Sequence, residues 1–117
     1  MNAAYENLIG DAGAAAITHI GLVDETGTEL TGGDYARLPV TWTSAGDGSD
    51  DPGTIRPTGN LNFDVPAGVT VAGWSGFSAA TGGTDYDGAS LTNETFANAG
   101  NYTLLAAETS IAHSSAA

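Results

Sequence analysis

"NLNFDVPAGVTVAGWSGF" (residues 60–77) decides the fold. Its first half alternates without fault, with Leu61, Phe63 and Val65 set against Asn60, Asn62 and Asp64. Period-two alternation is the mark of a strand with one face on a core, so the three apolar residues are expected inside. A second strand follows over 68–80. On an unbroken pleat Val69, Val71 and Phe77 share one face and Trp74 takes the other. Gly73 and Gly76 flank that indole, and glycines within a strand mark places where another backbone can come close.

Outward from this pair the chain continues as strands and turns. "AITHIGLVD" (16–24) is rich in β-formers and runs into the turn "ETG". "YARLPVTWT" (35–43) reads as another strand, with Val40 and Trp42 on one face. Pro39 removes a ladder donor there, which predicts an edge position or a bulge. "GDGSDDPG" (46–53) is a loop closed by Asp-Pro-Gly turn chemistry. Residues 81–90 read as a turn with a short strand, and 94–113 as a hairpin-like approach through Ala99-Gly100-Asn101 into a long final strand. About six or seven short strands at such intervals predict an all-β fold, an antiparallel β-sandwich of jelly-roll type.

One helix precedes it. "MNAAYENLIGDAGAAA" (1–16) offers Asn2 as a cap and places Tyr5, Leu8 and Ile9 on one side, with Gly10 and Gly13 expected to stop it. A helix this short is marginal alone, so it either packs on its own domain or reaches to a neighbour. The expected organisation is a helical arm over 1–15, a sandwich over 16–113 and a tail over 114–117.

Composition narrows the function. The 117 residues suit one domain with a thin core. Charged residues make up 14% of the chain, below the usual quarter, and there are 17 glycines. Fourteen acidic side chains face two cationic ones, Arg37 and Arg56, for a net charge of −12 with no lysine. Phosphate backbones and anionic lipid surfaces repel such a chain, so neither nucleic acid nor membrane is an expected partner. An acidic surface instead suits a soluble protein, a salty environment or a more basic docking partner. There is no cysteine, which leaves no disulfide or thiolate metal site. The N-terminus carries no basic and apolar leader, and no apolar run is long enough to cross a bilayer.

Catalytic patterns do not appear. His19 and His113 form no metal-spaced pair. "GWSGF" (73–77) falls short of the G-x-S-x-G elbow. The acids Asp24, Glu25, Asp47, Asp50, Asp51, Asp85 and Asp87 stand in turns, where solvated carboxylates are ordinary. Asp47, Asp50 and Asp51 bring oxygens together that a calcium ion could use, yet the spacing departs from a calcium loop. No cofactor is expected. Arg37, beside Tyr35 in the expected strand, has two readings. Its fork pairs with a carboxylate of its own sheet, or it crosses an interface, where Arg, Tyr and Trp are enriched. Tyr35, Arg37, Trp42 and Trp74 are therefore the candidate contact residues.

Three segments taken together, "HIGLVDETGTEL-TGGDYARLPVTW", "LNFDVPAGVTVAGWSGFSAATGG" and "ETFANAGNYTL", resemble a family of small virion proteins of tailed bacteriophages, especially phages of actinobacteria. The resemblance covers roughly residues 15 to 112. Where members carry a His-Thr-Ala-Asp-Pro-like run after the first strand, this chain has Val23-Asp24-Glu25-Thr26-Gly27. The resemblance implies a non-enzymatic structural protein of the virus particle, with the virion as its location. Members are labelled capsid decoration, minor tail or tail-fibre-like. A short single domain with an acidic exterior fits a decoration protein on the outer face of the head, and the alternative is a tail protein that binds host glycan. The implied partners are the major capsid protein and further copies of this chain, a trimer included.

Overall fold

The computed structural model describes residues 3–46, 52–106, 109 and 111–112. Helix α1 (Ala3–Ala16) leads into eight strands among the described residues: β1 (His19–Val23), β2 (Leu38–Pro39), β3 (Thr54–Ile55), β4 (Leu61–Val65), β5 (Val69–Phe77), β6 (Asp85–Phe96), β7 (Gly100–Leu104) and β8 (Ile111–Ala112). Every pairing is antiparallel. A four-stranded sheet runs β2-β1-β5-β6, and two-stranded ladders join β3 to β8 and β4 to β7. The molecule is thus mostly β, with one N-terminal helix.

The alternation in 61–65 holds in β4. Phe63 and Val65 are buried, Leu61 is half-buried, and Asn62 and Asp64 are exposed. They meet Ile20 and Leu22 of β1, Leu30, Val71 and Trp74 of β5, and Leu104 of β7 in one core. The β4–β7 ladder and the four-stranded sheet therefore share their apolar interior. Burying an aliphatic or aromatic side chain of this size contributes about 1.5–3 kcal/mol.

Three sequence expectations need correction. Helix α1 runs through Gly10 and Gly13 to Ala16. A Cβ on Gly10 would lie 2.7 Å from Ala45 Cβ and from the Gly53 carbonyl oxygen, so the glycine is what lets the helix approach that loop. This docking outweighs the intrinsic cost of a mid-helix glycine, about 1 kcal/mol. The strand expected over 35–43 shrinks to Leu38–Pro39. Its backbone is held otherwise, Val40 N–H donating to Thr18 and Trp42 bridging Pro57. Pro39 does lie on an edge strand, as its missing donor requires. The approach through Ala99-Gly100-Asn101 is not a hairpin, because β6 pairs with β5 while β7 pairs with β4. The chain changes sheets there, and β7 ends at Leu104.

Candidate functional site

Among the described residues a cluster of ionisable groups gathers around Arg37. The turn after β1 begins the arrangement. Asp24 Oδ1 accepts from Thr26 N–H, Thr26 Oγ1–H and Thr28 N–H at 2.7–3.1 Å, and Gly27 adopts a left-handed φ of 80°. These hydrogen bonds favour the ionised form and hold the Asp24 carboxyl below its ordinary pKa. The turn folds the chain back so that Glu29 bridges Val23 and Leu30 N–H donates to Leu22. Glu29 thereby arrives over Gly21, where a Cβ would meet its Oε2 and the Tyr35 hydroxyl at 2.7 Å.

Arg37 closes on this carboxylate with both prongs of its fork. Nε–H donates to Glu29 Oε2 at 2.9 Å and Nη2–H to Oε1 at 2.8 Å. Nη1 donates to the carbonyls of Ala79 and Gly82, at 3.0 and 2.8 Å, in the loop between β5 and β6. The guanidinium carbon lies 3.5 Å from the centroid of the Phe77 ring, a cation–π stack. Tyr35 completes the cluster. Its hydroxyl donates to Glu29 Oε2 at 2.8 Å and accepts from Leu22 N–H at 3.0 Å, while its ring stacks on Phe63. Burial, then the Glu29 carboxylate, pushes the Tyr35 phenol well above its ordinary pKa. The same carboxylate raises that of Arg37.

Chemically the cluster is closed. The Arg37 side chain is only 11% exposed, and its donors go to Glu29 and two carbonyls of its own chain. The Tyr35 proton is held on the phenol, which does not suit a general base near neutral pH. An open depression of about 390 Å³ lies over the cluster, between Glu29–Gly32, Tyr35–Arg37 and Ala80–Gly82. Its charged wall is already neutralised. Of the two readings of Arg37, the geometry is that of pairing within the chain.

The other two candidates also face inward to different degrees. Trp74 is 2% exposed, opposite Leu22 in the β1–β5 ladder. β5 lies between β1 and β6, and its residues 73–77 are all buried, so both faces are covered. Of the two glycines beside the indole, Gly73 admits a close backbone, which is the chain's own, whereas Gly76 makes room for the Ile17 side chain. A Cβ on Gly73 would sit 2.8 Å from the Ala89 carbonyl, and one on Gly88 would strike the Trp74 carbonyl. Trp42 is half-buried and its Nε1–H donates to the Ile17 carbonyl at 2.8 Å. The structure thus gathers Tyr35 and Arg37 in one cluster and leaves Trp42 and Trp74 apart from it.

Sequence reasoning did not single out Glu29 or Phe77, which complete the cluster. Glu29 was findable as the acid next to an apolar residue, Leu30, at the end of a turn. Phe77 entered only as a core residue. Among the described residues no group of three His, Cys, Asp or Glu side chains is placed to hold a metal ion. Asp47, Asp50, Asp51, His113 and the 114–117 tail lie outside the described residues. An open groove of about 500 Å³ runs beside Trp74, walled by Val23–Glu25, Ala72–Ser75 and Gly88–Leu91. Among the described residues no helix is long and apolar enough to cross a membrane. No family model, curated protein or solved structure matches the chain.

Proposed function

We propose that this chain is a non-enzymatic structural subunit of a virus particle, a small β-sandwich that adheres to the outer surface of a tailed-phage head as a decoration protein. One observation carries the non-enzymatic half of this reading: the cluster of ionisable groups that the described residues form, Glu29, Tyr35 and Arg37, is closed upon itself and ties three loops together. A reaction centre needs a group able to exchange a proton or bond a substrate, and here each is held by another. The location on a particle is supported by the sequence likeness to virion proteins. The sandwich arrangement is supported by the core shared between the β4–β7 ladder and the four-stranded sheet.

A tail protein that binds glycan would stack sugars on exposed aromatic faces, and here Trp74 is buried while Trp42 is half-buried. Mass spectrometry of purified heads, tails and whole particles tests the reading. The protein is expected in heads and on tail-less heads. Its confinement to tails would overturn the decoration role, and measurable turnover lost on Glu29→Gln would overturn the non-enzymatic one.

A further inference from the structure

Lysine is absent and arginine occurs twice, so a protease whose specificity pocket selects a basic side chain has two bonds to consider in 117 residues. Arg56 is followed by Pro57. The proline ring replaces the N–H on the leaving side of that bond and crowds it, so enzymes of the trypsin class do not cut there. One bond is left, Arg37–Leu38.

The fold withholds that bond from both ends. To be cut, the residues around it must lie extended in the enzyme's cleft while the arginine side chain fills the pocket. Here the Arg37 side chain is only 11% exposed. Two of its donors go to Glu29 and two to the carbonyls of Ala79 and Gly82, and its guanidinium is stacked on Phe77. Tyr35, on the near side, is tied to Glu29 and to Leu22 N–H. On the far side Leu38 and Pro39 pair with Ile20 and His19. That ladder is a weak lock, because β2 is a two-residue edge strand and edges open first. The arginine is the strong one: the group that a protease must grasp is the group that the fold holds by four hydrogen bonds.

We propose that the Glu29–Arg37 latch conceals the one trypsin-class cleavage site of this chain, and that opening this contact, with the core still folded, exposes it. Cleavage adds one water across the bond from the Arg37 carbonyl carbon to the Leu38 nitrogen. It leaves a carboxylate on Arg37, an amine on Leu38 and the fragments 1–37 and 38–117. The inference concerns how the chain is processed and stands apart from the proposed function.

Trypsin is the probe, with fragments identified by mass spectrometry. The urea-unfolded chain is expected to yield 1–37 and 38–117 alone, and the native chain to be cut roughly a hundredfold more slowly or less, since several charge-assisted bonds must open first. Glu29→Gln, which keeps the shape but removes the charge, is expected to speed cleavage of the folded protein about tenfold. Val65→Ala supplies the comparison: it lowers global stability from the buried core and leaves the latch alone, so its rate is expected within about twofold of native. Near-ultraviolet circular dichroism establishes that both variants are folded under the assay conditions. A native chain cut as fast as the unfolded one overturns the proposal. So does Val65→Ala accelerating cleavage as much as Glu29→Gln, which would make the whole fold the guard. A fragment beginning at Pro57 would overturn the claim of a single site.

Discussion

Replacing Arg37 by methionine removes the fork and the charge but keeps an unbranched apolar stem over Phe77. The variant loses two charge-assisted bonds to Glu29 and two to the carbonyls of Ala79 and Gly82. Glu29 is left with the Tyr35 hydroxyl as its remaining donor in the cluster. Breaking a well-buried ion pair by removing one partner costs about 3–5 kcal/mol. Glu29 is 24% exposed, so water screens part of the orphaned charge. Methionine retains contact with the ring, and its freedom from a fixed fork returns some side-chain entropy. The net expectation is about 3 kcal/mol, a large share of the roughly 5–15 kcal/mol that holds a domain together. At about 4 °C per kcal/mol for this length, the thermal midpoint falls by roughly 12 °C. Urea unfolding followed by tryptophan fluorescence measures the loss. A cycle with Glu29→Gln is expected to return a coupling of about 1–2 kcal/mol, because the pair shares both prongs. Amide exchange supplies a local check. Ser78 N–H donates to Thr84 and Thr84 N–H to Ser78 Oγ, and both amides exchange faster once Arg37 no longer holds the loop. An Arg37→Met protein within about 0.5 kcal/mol of the native chain would refute the assignment, since changes that size are what neutral surface positions give.

Gly88→Ala drives a Cβ into the Trp74 carbonyl and toward its ring, so β6 must shift on β5. A loss of about 2–3 kcal/mol, or failure to fold, is expected from denaturant unfolding, and native stability would refute the close approach. Buried Trp74 predicts that a Trp42→Phe protein emits from a single indole shielded from acrylamide, whereas Trp74→Phe leaves the half-buried Trp42 as a more quenchable emitter. The raised Tyr35 phenol makes a pH prediction. The folded state keeps its proton where the unfolded state releases it, so this stability is full below about pH 10 and is lost as pH rises toward the folded value. Urea midpoints should fall above pH 10 in the native chain and fall less in Tyr35→Phe, and absorbance near 295 nm should show one of the four tyrosines resisting titration.

Local pattern made β4 legible, since Phe63 and Val65 are inside as period two requires. Proline chemistry placed Pro39 at an edge for a reason that needs no neighbours. What escaped depended on contacts distant in sequence. Gly10 reads as a helix stop until Ala45 and Gly53 are seen pressed against it. The hydrophobic run 68–80 gives no sign that β5 is covered on both sides by parts of the chain before and after it. The strand expected at 35–43 failed because Tyr35 and Arg37 hold their backbone through side chains reaching Glu29 and the 79–82 loop, which no ladder requires.

Residues enriched at interfaces are also those best able to satisfy buried polar groups, and in this chain the second use prevails. Arginine, tyrosine and tryptophan each combine apolar area with a directional donor. A thin core with three loops converging near Gly21 needs that combination, because the carbonyls of Ala79 and Gly82 lie in a loop outside any ladder and are met by Arg37. Drawing Arg37, Tyr35 and Trp74 inward leaves Tyr5, Leu8, Tyr86 and Leu105 as the large apolar side chains exposed among the described residues, on a chain of net charge −12. On the proposed reading of a particle-bound subunit, so acidic a surface draws its countercharge from the other side of the contact. Binding should therefore weaken as salt rises at low ionic strength and then level off at a residual apolar affinity. Affinity for heads that rose steadily with salt would mean that burial alone drives the contact and would refute the electrostatic part of this reading.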